Sequence, residues 1–312
     1  MRTLQQIITE LGFLSPTLIQ EKSYEMINKR QSTIFISPTG TGKTHAYLIP
    51  IIENLSEEDI IQALIIVPTN ELVIQVGRML KEMHFSDYKA FSTLEDRQRQ
   101  IRSLEHKQPK IAITTPGRLY DLAVKENVLK THLATTLILD EADMLFDLDF
   151  IEQLDQVVSN MKGQTYIYSA TLPNNLLSWV NKYFKTIHKI DVTGDIELNI
   201  DHHLIYHRGE KEQRLLDLIN TLNPYLCFIF VSKNEDIDPL YETLFDKGLN
   251  ITKLSSKMPI RQRKAIVDEI HNLKYQYVLS SDISSRGMDF LGISHIIHYD
   301  MPYKVEFYKI GR

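Results

Sequence analysis

The sequence predicts an α/β fold of two tandem domains. Each would be a mostly parallel sheet with helices on both faces. Three observations predict it. The chain has 312 residues, too many for one typical core and enough for two domains of roughly 150 residues each. Short apolar runs of β character alternate with helical stretches. After a polar stretch at 191–203 the alternation starts again. Near-continuous apolar strands separated by helices mark parallel sheets covered on both sides.

The first domain, 1–195, holds candidate strands at 33–37 (TIFIS), 63–67 (ALIIV), 110–114 (KIAIT), 136–140 (TLILD) and 165–169 (TYIYS). Helical patterns lie between them, as at 69–83 and 116–126. The second domain, 196–312, holds 225–231 (YLCFIFV), 250–255 (NITKLS), 275–281 (YQYVLSS) and 295–299 (HIIHY). Residues 191–203 are the candidate linker, placed there by the restart of the pattern.

Hydrophobic content of 43% and charged content of 24% describe an ordinary globular protein. No apolar run reaches the roughly 18 residues of a membrane span. The start, MRTLQQIITELGF, lacks the basic and apolar regions of a secretory signal. The cytoplasm is the expected location, with no membrane partner. The one cysteine, Cys227, excludes an internal disulfide and a cysteine-based zinc site. Its apolar neighbours predict a buried structural thiol. A net charge of −5 is not the basic footprint of a duplex-reading protein. Nucleic acid binding would need a local surface.

Ser37-Pro38-Thr39-Gly40-Thr41-Gly42-Lys43-Thr44 follows an apolar strand and opens a helix, the context of a phosphate-binding loop. Its glycines let backbone N–H groups face phosphate oxygens, and the helix N-terminus adds partial positive charge. Lys43 would reach the β- and γ-phosphates of ATP, and Thr44 would place its hydroxyl on Mg²⁺. Asp140-Glu141-Ala142-Asp143 follows directly on TLIL. Asp140 would hold Mg²⁺, through water, and Glu141 would orient and deprotonate the attacking water. An acidic helix start would look the same in isolation; the phosphate loop gives the pair its meaning. Ser169-Ala170-Thr171 also follows a strand and alone is a common capping pattern.

Together these elements resemble the DEAD-box RNA helicases, and the resemblance continues along the chain. Gly12-Phe13 and Pro16-Thr17-Leu18-Ile19-Gln20 look like the Q motif. Pro68-Thr69-Asn70-Glu71-Leu72 is similar to PTREL, and Thr115-Pro116-Gly117-Arg118 matches TPGR. Phe230-Val231-Ser232 resembles motif IV. Ser281-Asp282-Ile283-Ser284-Ser285-Arg286-Gly287-Met288-Asp289 resembles TDxxxRGxD, and Ile310-Gly311-Arg312 the start of HRxGRxxR. Segments 222–230 and 275–289 look closest to the cold-shock DEAD-box helicases of Gram-positive bacteria.

The resemblance implies two RecA-like domains and an ATP-dependent RNA helicase. Gln20 would recognise adenine, and Asp289 would contact the ATP ribose. Pro68, Thr69, Glu71, Thr115 and Arg118 would bind the RNA backbone from the first domain and Ser281 from the second. Backbone contacts carry no sequence code. Arg286 would join the domains, Ser169 and Thr171 would tie Asp143 to the closed interface, and Arg312 would act as an arginine finger. ATP and RNA would close the domains, bend one strand and expel its partner from a short duplex; hydrolysis would reopen them. Partner proteins would be those of RNA decay or ribosome assembly, by family analogy. Residue by residue, blander readings stand beside these. Gln20 could be a solvated helix residue, Arg118 an exposed helix-start arginine and Arg286 a surface ion-pair former.

The sequence also departs from the family. Asn70 stands in place of arginine, which removes a phosphate contact and should weaken the RNA grip. Ser92-Thr93 stand about where a glycine pair is expected. Ile260 replaces glutamine, with Arg263 kept, and Tyr308-Lys309 stand for His-Arg. The second arginine of the last motif would follow Arg312, and the adenine-stacking aromatic would precede residue 1. Measured against the family, the expectation is a chain truncated at both ends, its second domain incomplete, with impaired ATPase activity. Two competing readings are an ATP-gated RNA clamp or scaffold with little turnover, and a DNA-directed helicase of the same superfamily. The Gln20 segment and the DEAD tetrad speak against the second.

Overall fold

The computed structural model describes residues 3–147, 150–195, 201–206, 208–255, 257–281, 290 and 292–301. The chain divides into two compact units, Met1–Glu197 and Leu198–Arg312.

The first unit is built on seven parallel strands: β1 (Thr33–Ile36), β2 (Ala63–Ile66), β3 (Tyr88–Phe91), β4 (Ile111–Thr114), β5 (Thr136–Leu139), β6 (Gln164–Ser169) and β7 (His188–Asp191). Their order in the sheet is β3-β4-β2-β5-β6-β1-β7. Successive strand residues face opposite sides, and both sides are apolar. Ile34, Ile36, Leu64, Ile66, Leu137 and Leu139 pack with Leu119, Leu145 and Trp179 on one face. Phe35, Ile65, Ile113, Ile138, Tyr166 and Tyr168 pack with Tyr47, Val73, Val76 and Leu80 on the other. The helix Asn70–Glu82 buries Leu72, Val73, Val76 and Leu80, a stripe at helical spacing.

The second unit has four parallel strands in the order β11-β8-β10-β9: β8 (Cys227–Val231), β9 (Ile251–Leu254), β10 (Tyr277–Ser281) and β11 (His295–His298). Cys227, Ile229 and Val231 pack with Leu215, Ile219 and Leu240 on one side. Phe228, Phe230 and Val278 pack with Ile270 and Phe290 on the other.

The structure corrects the reading in three places. The sequence pattern misses β3 and β7, both at sheet edges, where partly exposed faces need no apolar run. The candidate linker begins too early: Asp191 ends β7, and Val192 N donates to Ile36 O at 2.9 Å. The helical pattern at 116–126 is one α turn, Pro116–Leu119, followed by a π-helical turn, Tyr120–Lys125. Among the described residues no helix is long and apolar enough to cross a membrane.

Candidate functional site

Because all seven strands of the first unit are parallel, every loop after a strand leaves from the same edge. β5, β6 and β1 are neighbours, so the loops carrying Asp140, Ser169 and Lys43 emerge side by side. β3, β4 and β2 form the adjoining block. They carry Ser92-Thr93, Thr115–Arg118 and Pro68–Glu71.

Ser37 N donates to Ser169 O at 3.0 Å, extending the ladder by one residue before the chain turns. Gly40 (φ +76°) and Gly42 (φ +84°) then take left-handed backbone that favours glycine. A Cβ on Gly42 would sit 2.5 Å from Gln20 Nε2, whereas at Gly40 it would meet nothing. The Thr41 hydroxyl donates to Pro38 O at 2.9 Å and lies 2.6 Å from Ser37 Oγ, so the loop is braced from within. The preceding helix, Leu18–Asn28, supports it from outside. Thr17 Oγ1 donates to Thr41 O at 2.9 Å, and Gln20 Nε2 donates to Gly42 O at 3.4 Å. Gln20 Oε1 accepts from Thr17 N at 2.9 Å. Gln20 is 5% exposed, which removes the solvated-residue reading. Among the described residues its amide keeps one lone pair and one proton without a partner, enough for a further bidentate contact.

Lys43, 6% exposed, lies 3.2 Å from Glu141 Oε1 and donates to Ser37 O at 3.4 Å. Burial disfavours its ammonium form, but Glu141, Asp140 and Asp143 attract it more strongly and hold its pKa above the usual lysine range. Glu141 has φ +48°, a left-handed conformation costing a β-carbon-bearing residue roughly 1–2 kcal/mol. The strain sits at the turn from β5 into the next helix. Asp140 is held at both oxygens: Glu141 N donates to Oδ1 and the Tyr47 hydroxyl to Oδ2, each at 2.9 Å. Burial raises the Asp140 pKa against the pull of Lys43. Asp143 is also raised, by burial and by repulsion from Glu141. Its Oδ2 accepts from the N–H and hydroxyl of Thr171, each at 3.0 Å, and its N–H donates to Ser169 Oγ at 3.0 Å. The structure thus brings Lys43, Asp140, Glu141, Asp143, Ser169 and Thr171 into one cluster, in which Lys43, Asp140, Asp143 and Ser169 are buried and Glu141 and Thr171 half-buried.

Three carboxylates around one ammonium favour added positive charge, and space lies open beside Gly40. Among the described residues no group of three or more His, Cys, Asp or Glu forms a metal cage. A cation here would have few protein ligands, the regime of Mg²⁺ shared with water and phosphate oxygens. The donor set fits Mg²⁺ and a nucleotide triphosphate.

On the adjoining block, Thr69 caps its helix, its hydroxyl accepting from Leu72 N at 3.3 Å. Thr115 begins the Pro116 turn. Arg118 is 6% exposed, so it is not an exposed helix-start residue, and among the described residues its Nε has no hydrogen-bond partner. In the second unit Ser281 ends β10, and its hydroxyl donates to Asn234 Oδ1 at 3.0 Å. Arg286, Asp289 and Arg312 lie outside the described residues.

Residues 17–179 match the family model described as DEAD/DEAH box helicase, and 210–310 that of the helicase conserved C-terminal domain. The chain belongs to the DEAD/DEAH box helicase family. It is 35% identical to the DEAD-box ATP-dependent RNA helicase CshB of Listeria monocytogenes, over 98% of this chain and 73% of that protein. CshB of Bacillus subtilis is 34% identical over 98% of this chain and 72% of its own length. Among solved structures, Saccharomyces cerevisiae Dbp5 bound to RNA and ADP BeF3 has a TM-score of 0.81 at 22% identity, covering 98% of this chain and 82% of Dbp5. Mss116 bound to ssRNA and UDP-BeF gives 0.80 at 22%, covering 98% and 69%. At that identity the likeness is one of fold: tandem RecA-like domains.

Within this DEAD-box chain, sequence reasoning missed two site residues. Tyr47 lies four residues after Lys43, on the same helix face, and that spacing was the available signal. Asn70 figured only as a lost arginine; nothing in the sequence shows that it bonds the loop after β3.

Proposed function

We propose that this chain is an ATP-dependent RNA helicase that grips the backbone of single-stranded RNA and locally separates short duplexes. The observation that carries it is the cluster of buried Lys43, Asp140 and Asp143 with half-buried Glu141 at the ends of neighbouring parallel strands. Thr39, Gly40, Thr41 and Gly42 would cradle the phosphates of ATP with their N–H groups, and Gln20 would bind adenine. Lys43 would leave Glu141 for the β- and γ-phosphates, freeing the Glu141 carboxylate to take a proton from the attacking water. Asp140 and Thr44 would hold Mg²⁺, which offsets phosphate charge when bound. Asp143, braced by Ser169 and Thr171, keeps the strand ends in register with the loop. Pro68, Thr69, Glu71, Thr115, Arg118 and Ser281 would meet RNA phosphates and sugars without reading bases. The roles of Asp289 at the ribose, Arg286 in coupling and Arg312 at the γ-phosphate rest on motif resemblance. ATP must favour the state that holds RNA more tightly.

The Lys43–Glu141 pair favours a second reading, an ATP-gated RNA clamp, because the base is occupied until a nucleotide displaces its partner. One experiment separates the two: ATP hydrolysis with and without single-stranded RNA, and displacement of a labelled strand from a short duplex, for the native chain and Glu141→Gln. RNA-stimulated hydrolysis and displacement, both abolished in Glu141→Gln, support the helicase. ATP-dependent RNA retention without turnover selects the clamp.

A further inference from the structure

In the second unit the residues just before β8, β9 and β10 border an open cavity of about 340 Å³. It lies at the amino edge of the sheet. Ser281 is at the carboxyl edge, about 16 Å from Gln276 at the rise of a strand. Three amides form the polar wall, and their orientations are settled. A backbone carbonyl only accepts, so the Gln276 atom 2.7 Å from Pro224 O is Nε2. Nε2 also donates to Asn223 Oδ1 at 3.2 Å, which leaves Nδ2 on the other branch of the Asn223 amide. Asn250 Nδ2 donates to Lys274 O at 3.1 Å. Among the described residues Asn223 Nδ2, Gln276 Oε1 and Asn250 Oδ1 have no partner. The wall thus offers one held donor group and two held acceptors.

The apolar wall is largely aromatic. Tyr225 is 66% exposed. A Cβ on Gly292 would lie 3.6 Å from Tyr225 Cε1 and 3.7 Å from Leu273 Cδ2, so the two side chains flank the same glycine. Leu273 takes left-handed backbone (φ +55°), a strained conformation, and its side chain is exposed at the rim. No charged side chain lines the cavity among the described residues. The nearest charges are spent on each other: Lys274 pairs with Glu269, whose other oxygen accepts from the Tyr275 hydroxyl at 2.7 Å.

We propose that this cavity binds an unpaired nucleobase, stacked on Tyr225 with its edge against the three amides. A wall without free charge fits an uncharged ligand. An exposed ring fits a flat one, and held donors and acceptors together fit an edge that carries both. The volume is at the lower end of ligand pockets, roughly 300–1,000 Å³, and suits one ring system rather than a peptide strand. The base comes either from a free nucleoside or from an RNA strand. Only the second source rests on the RNA-binding reading above.

The test is saturation-transfer NMR on the full chain with cytidine or uridine, pyrimidines that leave the adenine contact proposed for Gln20 out of the readout. Base protons should receive more saturation than ribose protons. Tyr225→Ser, at an exposed position, should melt with the native protein and bind both nucleosides on the order of tenfold more weakly, the worth of one stacked base. Asn223→Asp keeps the acceptor for Gln276 and loses the donor; it should weaken uridine binding by roughly tenfold. No transfer in the native chain, or native affinity in either variant, overturns the proposal. So does a proline-rich peptide that binds in place of the nucleosides and is lost in Tyr225→Ser, the mark of a protein-docking groove. A long and a short oligocytidylate separate the sources. With an RNA strand as source, the long oligomer binds more tightly than the short one and loses that gain in Tyr225→Ser. With a free nucleoside as source, Tyr225→Ser weakens cytidine and leaves both oligomers unchanged. Failure of the native chain to retain either oligomer would overturn the RNA-binding reading and leave the nucleoside result standing.

Discussion

The hydroxyl of Tyr47 donates a 2.9 Å hydrogen bond to Oδ2 of Asp140, and both side chains are buried. Thr44 is a further hydrogen-bond partner of the same hydroxyl. One phenol therefore links the two residues proposed to hold Mg²⁺. Tyr47→Phe removes a single oxygen and leaves the ring packed against Tyr168. Expected are a stability loss of about 1–3 kcal/mol, from an unpaired buried carboxylate oxygen, and a higher Mg²⁺ requirement for half-maximal ATP hydrolysis. Thermal melts and Mg²⁺ titrations check this; an unchanged Mg²⁺ requirement would reduce Tyr47 to a packing residue.

Lys43→Met should show a stability deficit that depends on pH. The Lys43 pKa is raised in the fold, so its contribution is complete below the unfolded value near 10.5 and fades only as the pH climbs above it. Asp140 and Asp143 are also raised, so their ionisation costs stability above the unfolded carboxylate range, and the cost lifts as pH falls. Without Lys43 both carboxylates shift further up. The variant should lose about 3 kcal/mol at neutral pH and recover part of it in mild acid. Melting temperatures over that range test the sign, and a constant gap would contradict it.

The two left-handed glycines of the phosphate loop should differ in tolerance. Gly40→Ala meets only the backbone cost of roughly 1–2 kcal/mol. Gly42→Ala adds a clash with the Gln20 amide and should also displace the Leu18–Asn28 helix from the loop. Binding of a fluorescent ATP analogue should fall further in Gly42→Ala than in Gly40→Ala.

The Cys227 thiol is buried in β8, and burial pushes its pKa up to about 12. It should resist a disulfide-exchange reagent in native protein at mildly alkaline pH and react fully once the second unit is unfolded. Rapid native reactivity would mean that β8 opens readily.

The central strands and the nucleotide loop were legible because each carries its own signal: an unbroken apolar run, or glycines and lysine at fixed spacing. The edge strands β3 and β7 were not. A strand with one neighbour is half-solvated, so YKAF and HKID satisfy the sheet without looking like core. The early linker start has the same cause, since HKID is short and mostly polar while pairing with β1. At the site, the acids and lysine could be named from sequence, but the partners of Asp140 and Asn70 could not. Tyr47 is 93 residues from Asp140, and Ser92 is 22 from Asn70; only the folded sheet makes them neighbours.

The partition of the first sheet bears on how such a protein can vary. The block β3-β4-β2 and the block β5-β6-β1 meet at a single strand junction, bridged where Asp140 N donates to Ile66 O. Substitutions well separated across that junction should add rather than compound. A lineage, or an engineer, could therefore rewrite one block's loops in paired steps, as Asn70 with Ser92-Thr93, and carry the other block's chemistry along unaltered.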